Sequence, residues 1–438
     1  MAYASLQDFI ALLEQRGELH RVPVEVDPDL EVAAVTRRVH GRAGGGKALF
    51  FPRVKGSAFP LVTNLFGTAD RAALALGAPS LEQLRQKMER LMAAGEGDPS
   101  EILLEQLGSF TPTCTGGDPW DLAQPDLTAL PFIRGASGDG GSYLTLPMVF
   151  TRDPESGRQN CGMYRVQRLD ATCLAISWRP GSGGEGHAAP GAPVAVCLGG
   201  DPALMFAAAF SFPADADEMA FAGMLRGEPV PMVPCRTGGL LVPADAEMVI
   251  EGVLEGGAAQ EGPFANHTGF YSAGRLAARM RVTCIRRRGS PVIPATVLGR
   301  PPVEDSWMAK AWERLLLPYL QVRYPELTEL NMPLESIFHR ACLLALRRGS
   351  DARSLLERLR GEPELSGARL LVAVDEEIDV HDPAAVYWRA VNAARLPADL
   401  TLSGGCATLN ATVRQGIPVG EDAPIDRLVE SRWGSYGF

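Results

Sequence analysis

Apolar residues recur at helical spacing near the start of the chain, where Leu6, Phe9, Ile10 and Leu13 share one face of residues 5–17. Ser5 stands at the N-cap, Asp8 at the capping-box position, and Gly17 stops the helix. The run PLVTNLFG (60–67) predicts a strand, and Ser80 then caps a second helix carrying Leu81, Leu84, Met88, Leu91 and Met92. From about 110 to 300 the pattern changes to short β-rich runs at 143–151, 161–169, 174–178, 194–199, 247–254, 279–287 and 291–299, punctuated by Gly, Pro and Asp. This predicts an all-β unit, a barrel or sandwich, interrupted by helices such as 201–210, which starts at Asp201-Pro202. Helical spacing returns with Trp307, Met308, Ala311, Trp312, Leu315 and Tyr319. A buried strand at 368–379, a helix over 384–395 opened by Asp382-Pro383, and an amphipathic tail helix complete an α/β unit. The predicted division is 1–110, an α/β portion; 111–304, the β unit; 305–338, a connecting helix and linker; and 339–438, the C-terminal α/β domain and tail.

The 438 residues fit roughly two to four domains. Acids exceed bases, 52 to 42, for a net charge of -10, which argues against nucleic acid as the main partner. With 46% hydrophobic and 21% charged residues, the chain reads as globular. The N-terminal text lacks a signal-peptide pattern, and no run of 18 apolar residues is present, so a cytoplasmic protein with no membrane contact is expected. The eight cysteines are scattered without a C-x-x-C pair and read as reduced, packed thiols.

Four constellations bear on the chemistry, and the first is rejected. Gly181, Gly183 and Gly186 spell G-x-G-x-x-G after a strand, but HAAPGAPV follows, and its prolines preclude the helix whose N-terminus must face a pyrophosphate. A flexible loop ending at His187 is expected instead. In Asn160-Cys-Gly-Met-Tyr-Arg165, strand alternation puts Cys161, Met163 and Arg165 on one face and Gly162 and Tyr164 on the other. An arginine in such apolar text needs a carboxylate, either as a structural ion pair or as part of a site. Glu261 opens the loop EGPFANHTGFY and is a candidate partner for Arg165; the bland alternative is a solvated carboxylate. Asn160, His187 and Glu218 together offer a donor set suited to Mn²⁺ or Mg²⁺, although sequence spacing does not join them.

The chain resembles the UbiD-type decarboxylases, which use prenylated FMN. The likeness rests on LQDFIALLEQRGEL, PLVTNLFGT, N-x-G-x-Y-R (160–165), DEMAFAGMLRGEPV (217–230), VPADAEMVIEG (243–252), EGPFANHTGFY (261–271), GRPPVED (299–305), YPELTELNMP (324–333) and VDEEIDVHD (374–382), in the family's order along nearly the whole chain. It implies an α+β fold: an N-terminal α/β portion, a flavin-binding split β-barrel, a connecting helix and a C-terminal α/β oligomerisation domain. It implies reversible, non-oxidative decarboxylation of an aromatic, heteroaromatic or α,β-unsaturated carboxylic acid. The implied ligands of the divalent metal that holds the cofactor phosphate are Asn160, His187 and Glu218, with K⁺ alongside. Gly162, Met163, Tyr164 and Arg165 are implied at the cofactor, and Arg347 or its neighbour Arg348 at the phosphate. The implied catalytic set is Arg165, Glu261 and a second acid five residues after Glu261. A flavin prenyltransferase would supply the cofactor, and a homodimer or higher homo-oligomer is expected.

At that fifth position this chain carries Asn266, and an amide cannot act as a general acid. Four readings follow: His267 or a water donates the proton; the substrate is an activated phenolic or heteroaromatic acid; the chain is a non-catalytic flavin-binding subunit of a multi-subunit (de)carboxylase; or the residue is an engineered Asp→Asn change. An FMN oxidoreductase on a similar barrel is a further alternative. The cluster Asp375, Glu376, Glu377 and Asp379 reads as solvated carboxylates at a strand end, and Trp433 and Tyr436 as packing residues.

Overall fold

A computed structural model describes residues 2–336, 340–412 and 423–437. The first helix, Leu6–Gln15, forms where the apolar spacing predicts it. Ser5 Oγ accepts from the backbone N–H of Asp8 at 3.2 Å, and Leu6, Phe9, Ile10 and Leu13 are buried. The helix packs beside a four-stranded sheet ordered Leu19–Arg21, Ala48–Phe51, Leu61–Thr63 and Ile293–Ala295. The last of these strands departs from the expectation that 291–299 belongs with the β unit. It pairs parallel to Leu61–Thr63, and parallel pairing between distant segments leaves no local signature in sequence.

The central sheet runs antiparallel through Tyr143–Leu144, Val166–Arg168, Cys173–Ile176, Arg275–Arg287, Met248–Glu261, Pro193–Leu198, Met148–Arg152 and Gln159–Met163, with Asp121–Ala123 pairing Arg275–Arg287 as a ninth strand. Alternation sorts its side chains into two cores. Met148, Phe150, Cys161, Ala195 and Cys197 join one core, and Val149, Val194, Val196 and Leu198 join the other. The first core is covered by helices Pro202–Phe210 and Glu218–Arg226 and by the long helix Glu304–Arg323. In that last helix Leu315, Leu316 and Leu317 are all buried, so its middle is surrounded on every side.

The C-terminal sheet is ordered Leu327–Asn331, Ala341–Leu346, Leu370–Asp375, Cys406–Asn410 and Leu400–Ser403. Helix Pro383–Ala393 covers one face yet exposes Tyr387, Trp388 and Val391. The carboxylate cluster has structural partners. Asp375 pairs with Arg389 at 2.5 Å, Glu377 with Arg348 at 3.2 Å, and Asp379 accepts from His381 N at 2.8 Å. The tail is a helix, Ala423–Ser431, followed by a turn that exposes Trp433 and Tyr436. All eight cysteines are free thiols, and only Cys114 is exposed. Among the described residues, no helix is long and apolar enough to cross a membrane.

Candidate active site

The two longest strands, Met248–Glu261 and Arg275–Arg287, pair so that Glu261 lies opposite Arg275 at their shared end. Gly262 then ends the strand because nothing larger fits. A Cβ there would sit 2.3 Å from Gly140 Cα, and one on Gly140 would sit 2.2 Å from Gly262 Cα. The turn fixes Glu261 with no solvent exposure. Arg165, just past strand Gln159–Met163, grips it with two parallel bonds: Nε to Oε1, and Nη2 to Oε2 at 2.8 Å. Ser177 Oγ donates to the same Oε2 at 2.7 Å. Arg275 Nε donates to Ser177 Oγ at 2.7 Å and stands 3.7 Å from Glu261 Oε2. The Arg165 guanidinium rests 4.8 Å over the Phe264 ring. Arg275 and Ser177 were not singled out from sequence, since only the hairpin register brings them to Glu261.

These groups line a cavity of about 360 Å³, within the range that holds small ligands. Leu146, Met163, Tyr164, Phe210, Phe264, Leu298 and Met308 form its apolar wall, with Asn266, His267 and Asp305 at its polar places. Arg165 spends one edge of its fork on Glu261, so its other N–H groups are able to bind an anion in the cavity it lines. Gly162 lies beneath Tyr164, where a Cβ would meet the ring at 2.3 Å, and Tyr164 packs edge-on against Trp178 at 4.9 Å.

Asn266 Oδ1 accepts from Thr268 N at 2.8 Å and from Thr268 Oγ1 at 2.5 Å, which folds the loop and leaves the amide only N–H groups to offer. Burial, with the nearby charges of Arg340 and Arg165, pushes the His267 pKa down to about 4. His267 is therefore neutral at pH 7 and holds no imidazolium proton to give.

The expected metal ligands are linked through their neighbours. Asn160 lies directly across from Thr151 in the strand pair, and Thr151 Oγ1 is 3.0 Å from His187 Nδ1, which leaves Nε2 for a metal. Glu218, at the start of its helix, accepts from Cys161 N at 3.1 Å, one residue from Asn160. Burial raises the Glu218 carboxyl to about 7, and no ion pair reaches it among the described residues. Asn160 Nδ2 is buried without a hydrogen-bond partner. A desolvated carboxylate, a neutral imidazole and an amide oxygen make a donor set that fits a divalent cation. The glycines before His187 correct the expectation of a plain loop: Gly183–Gly186 form one helical turn capped by Ser182 Oγ, and His187 is its C-cap. Ser182 gives the turn its cap, and the helix-breaking prolines come only after it.

Arg347 lies apart from the cavity described above. It is exposed beyond the end of strand Ala341–Leu346, where its N–H donates to Glu326 O at 2.8 Å. Arg348 pairs with Glu377. Neither lines the cavity in a single chain, whereas Arg340, at the opposite end of that strand, acts on His267. A strand carries its two ends many ångströms apart, so the basic residue at the near end is the one that approaches the site.

Comparison with known proteins bears on this geometry. Three family models match: the 3-octaprenyl-4-hydroxybenzoate carboxy-lyase N-terminal domain at residues 10–91, its Rift-related domain at 112–301 and its C-terminal domain at 306–421. An uncharacterised protein of Archaeoglobus fulgidus is 37% identical over 407 residues, covering 89% of this chain and 84% of that one. Another from Aquifex aeolicus is 35% identical, covering 100% of this chain and 93% of its own length. Among solved structures, an evolved dimeric form of the UbiD-class enzyme HmfF from Pelotomaculum thermopropionicum, in complex with prenylated FMN, is 25% identical with a TM-score of 0.83, covering 97% of this chain and 98% of that one. Vanillic acid decarboxylase of Sedimentibacter hydroxybenzoicus shares the fold, with a TM-score of 0.84 at 23% identity over 98% and 99% of the two chains. With all three of its domains matched in order and a solved relative of the same architecture, the chain belongs to the UbiD family.

Proposed function

We propose that the chain is a prenylated-FMN-dependent carboxy-lyase that removes carbon dioxide from, or in reverse adds it to, an aromatic, heteroaromatic or α,β-unsaturated carboxylic acid. The observation that carries this reading is the Arg165–Glu261 pair, buried on its acid side and presenting a free guanidinium edge to an apolar cavity. Arg165 binds and orients the substrate carboxylate. Glu261 fixes the guanidinium plane, while Ser177 and Arg275 hold Glu261. The apolar wall excludes water and favours neutral carbon dioxide over the carboxylate from which it comes. When bound, prenylated FMN supplies the electron sink for the pair left as the carbon–carbon bond breaks. Asn160, His187 and Glu218 would hold Mn²⁺ or Mg²⁺ and, through it, a phosphate. The reading implies a cytoplasmic enzyme, supported by its reduced buried thiols, a prenyltransferase to supply the cofactor, and a homodimer or larger homo-oligomer.

Asn266 favours a second reading, a non-catalytic flavin-binding subunit of a larger (de)carboxylase. Co-expression with a flavin prenyltransferase separates the two. The first reading expects bound prenylated FMN by mass and absorbance, and carbon dioxide released from at least one of vanillate, 3,4-dihydroxybenzoate, pyrrole-2-carboxylate and cinnamate. The second expects a homologous chain to co-purify, and no release without it.

A further inference from the structure

The geometry points to Asp305 as the acid that gives its proton to the substrate carbon after carbon dioxide leaves, in place of the carboxyl that Asn266 lacks. This rests on the carboxy-lyase reading. Asp305 lies in the first turn of helix Glu304–Arg323 and lines the same cavity as Arg165 and Asn266. It is only 6% exposed, and neither carboxyl oxygen has a hydrogen bond of good geometry among the described residues. No cation acts on it among the described residues, and burial outweighs the backbone N–H groups of Ser306 and Asp305 that favour its charged form, so the group takes up a proton and becomes a donor. Burial, reinforced by the neighbouring Glu304, pushes its pKa up to about 8. The other ionisable groups on the cavity wall are Tyr164, whose ring packs against Trp178, and Arg165, Arg179, Arg275 and His267. Arg165 and Arg275 bind toward Glu261, and His267 is neutral.

The interior behind Asp305 stays polar. Glu304 Oε1 accepts from Phe66 N at 3.0 Å, while its Oε2 is unsatisfied. Thr296, Asn64 and Arg71 act on Glu304, and Asn64 and Arg71 act on the buried His40. Each of these residues has a buried polar atom without a hydrogen-bond partner. Arg71 meets Glu18 at 2.8 Å, and the Glu18 side chain is 42% exposed.

The step balances. The bond between the substrate carbon and its carboxylate breaks, and the electron pair stays on that carbon. The Asp305 O–H breaks as the new C–H forms, carbon dioxide departs, and Asp305 remains as a carboxylate until solvent returns a proton. In the reverse direction, the Asp305 carboxylate takes the proton.

The test uses cofactor-loaded wild type, Asp305→Asn and Asp305→Glu. Infrared difference spectra between wild type and D305N at pH 7 should contain the carbonyl stretch of one protonated carboxyl. D305N should lose roughly 10²- to 10⁴-fold in carbon dioxide release at unchanged flavin content, the usual share of a general acid, and D305E should recover part of it. Absence of the band, or D305N at wild-type turnover, overturns the donor role alone. A loaded wild type that shows the band but releases no carbon dioxide from any acid overturns the carboxy-lyase reading, and the donor role with it. If D305N does not fold, D305E and its band decide the matter: wild-type turnover with an ionised carboxyl at pH 7 overturns the proposal.

Discussion

Glu261→Gln removes one charge and almost no volume from the most connected side chain of the site. Glu261 has no exposure and receives Arg165 Nε, Arg165 Nη2 at 2.8 Å and Ser177 Oγ at 2.7 Å, with Arg275 at 3.7 Å. An amide has one acceptor oxygen. In either flip, its NH₂ group confronts a guanidinium N–H, and two cations lose their counter-charge. Removing one partner of a buried pair costs about 3–5 kcal/mol. The Arg165 and Arg275 side chains are 19% and 38% exposed, so water recovers part of that loss. The expected cost is about 2–3 kcal/mol. Urea unfolding of wild type and E261Q side by side, read by tryptophan fluorescence because Trp178 adjoins Arg275, measures it. A change below about 0.5 kcal/mol, the range of ordinary surface substitutions, would refute the view that Glu261 is the buried anchor of this site.

Glu218→Gln should abolish the rise in melting temperature that Mn²⁺ gives the wild type, and equal stabilisation of both proteins would remove Glu218 from the metal site. Asn266→Asp should maintain or raise turnover; a large loss in the same carbon dioxide assay would show that the amide itself has an adapted role. His40 is buried with its pKa lowered to about 4, chiefly by desolvation. Between pH 6.5 and 4 the unfolded chain therefore binds a proton that the native state refuses, and His40 makes stability fall as pH falls through that window. His40→Gln should flatten this limb in denaturation midpoints taken across the range, and an unchanged slope would contradict the assignment.

Much of this site was legible in the sequence because its residues sit in short, distinctive text. Asn160 and Arg165 lie in one six-residue motif, and Glu261 opens a Gly-Pro loop where only an irregular turn fits. The helices at Leu6–Gln15 and Leu81–Met92 followed from spacing and caps alone. What stayed hidden depends on register and distance. Arg275 reaches Glu261 only because two long strands pair end to end. Ile293–Ala295 crosses to the N-terminal sheet through a parallel pairing that no local pattern announces. Asp305 sat unnoticed in GRPPVED, since only burial distinguishes it from a helix-capping acid.

The most direct measurement is release of labelled carbon dioxide from carboxyl-¹³C aromatic acids by the protein loaded with prenylated FMN. The account predicts release from at least one acid by wild type and none above background by Arg165→Met, whose side chain cannot hold a carboxylate. No release by fully loaded wild type, or equal release by both proteins, would contradict it.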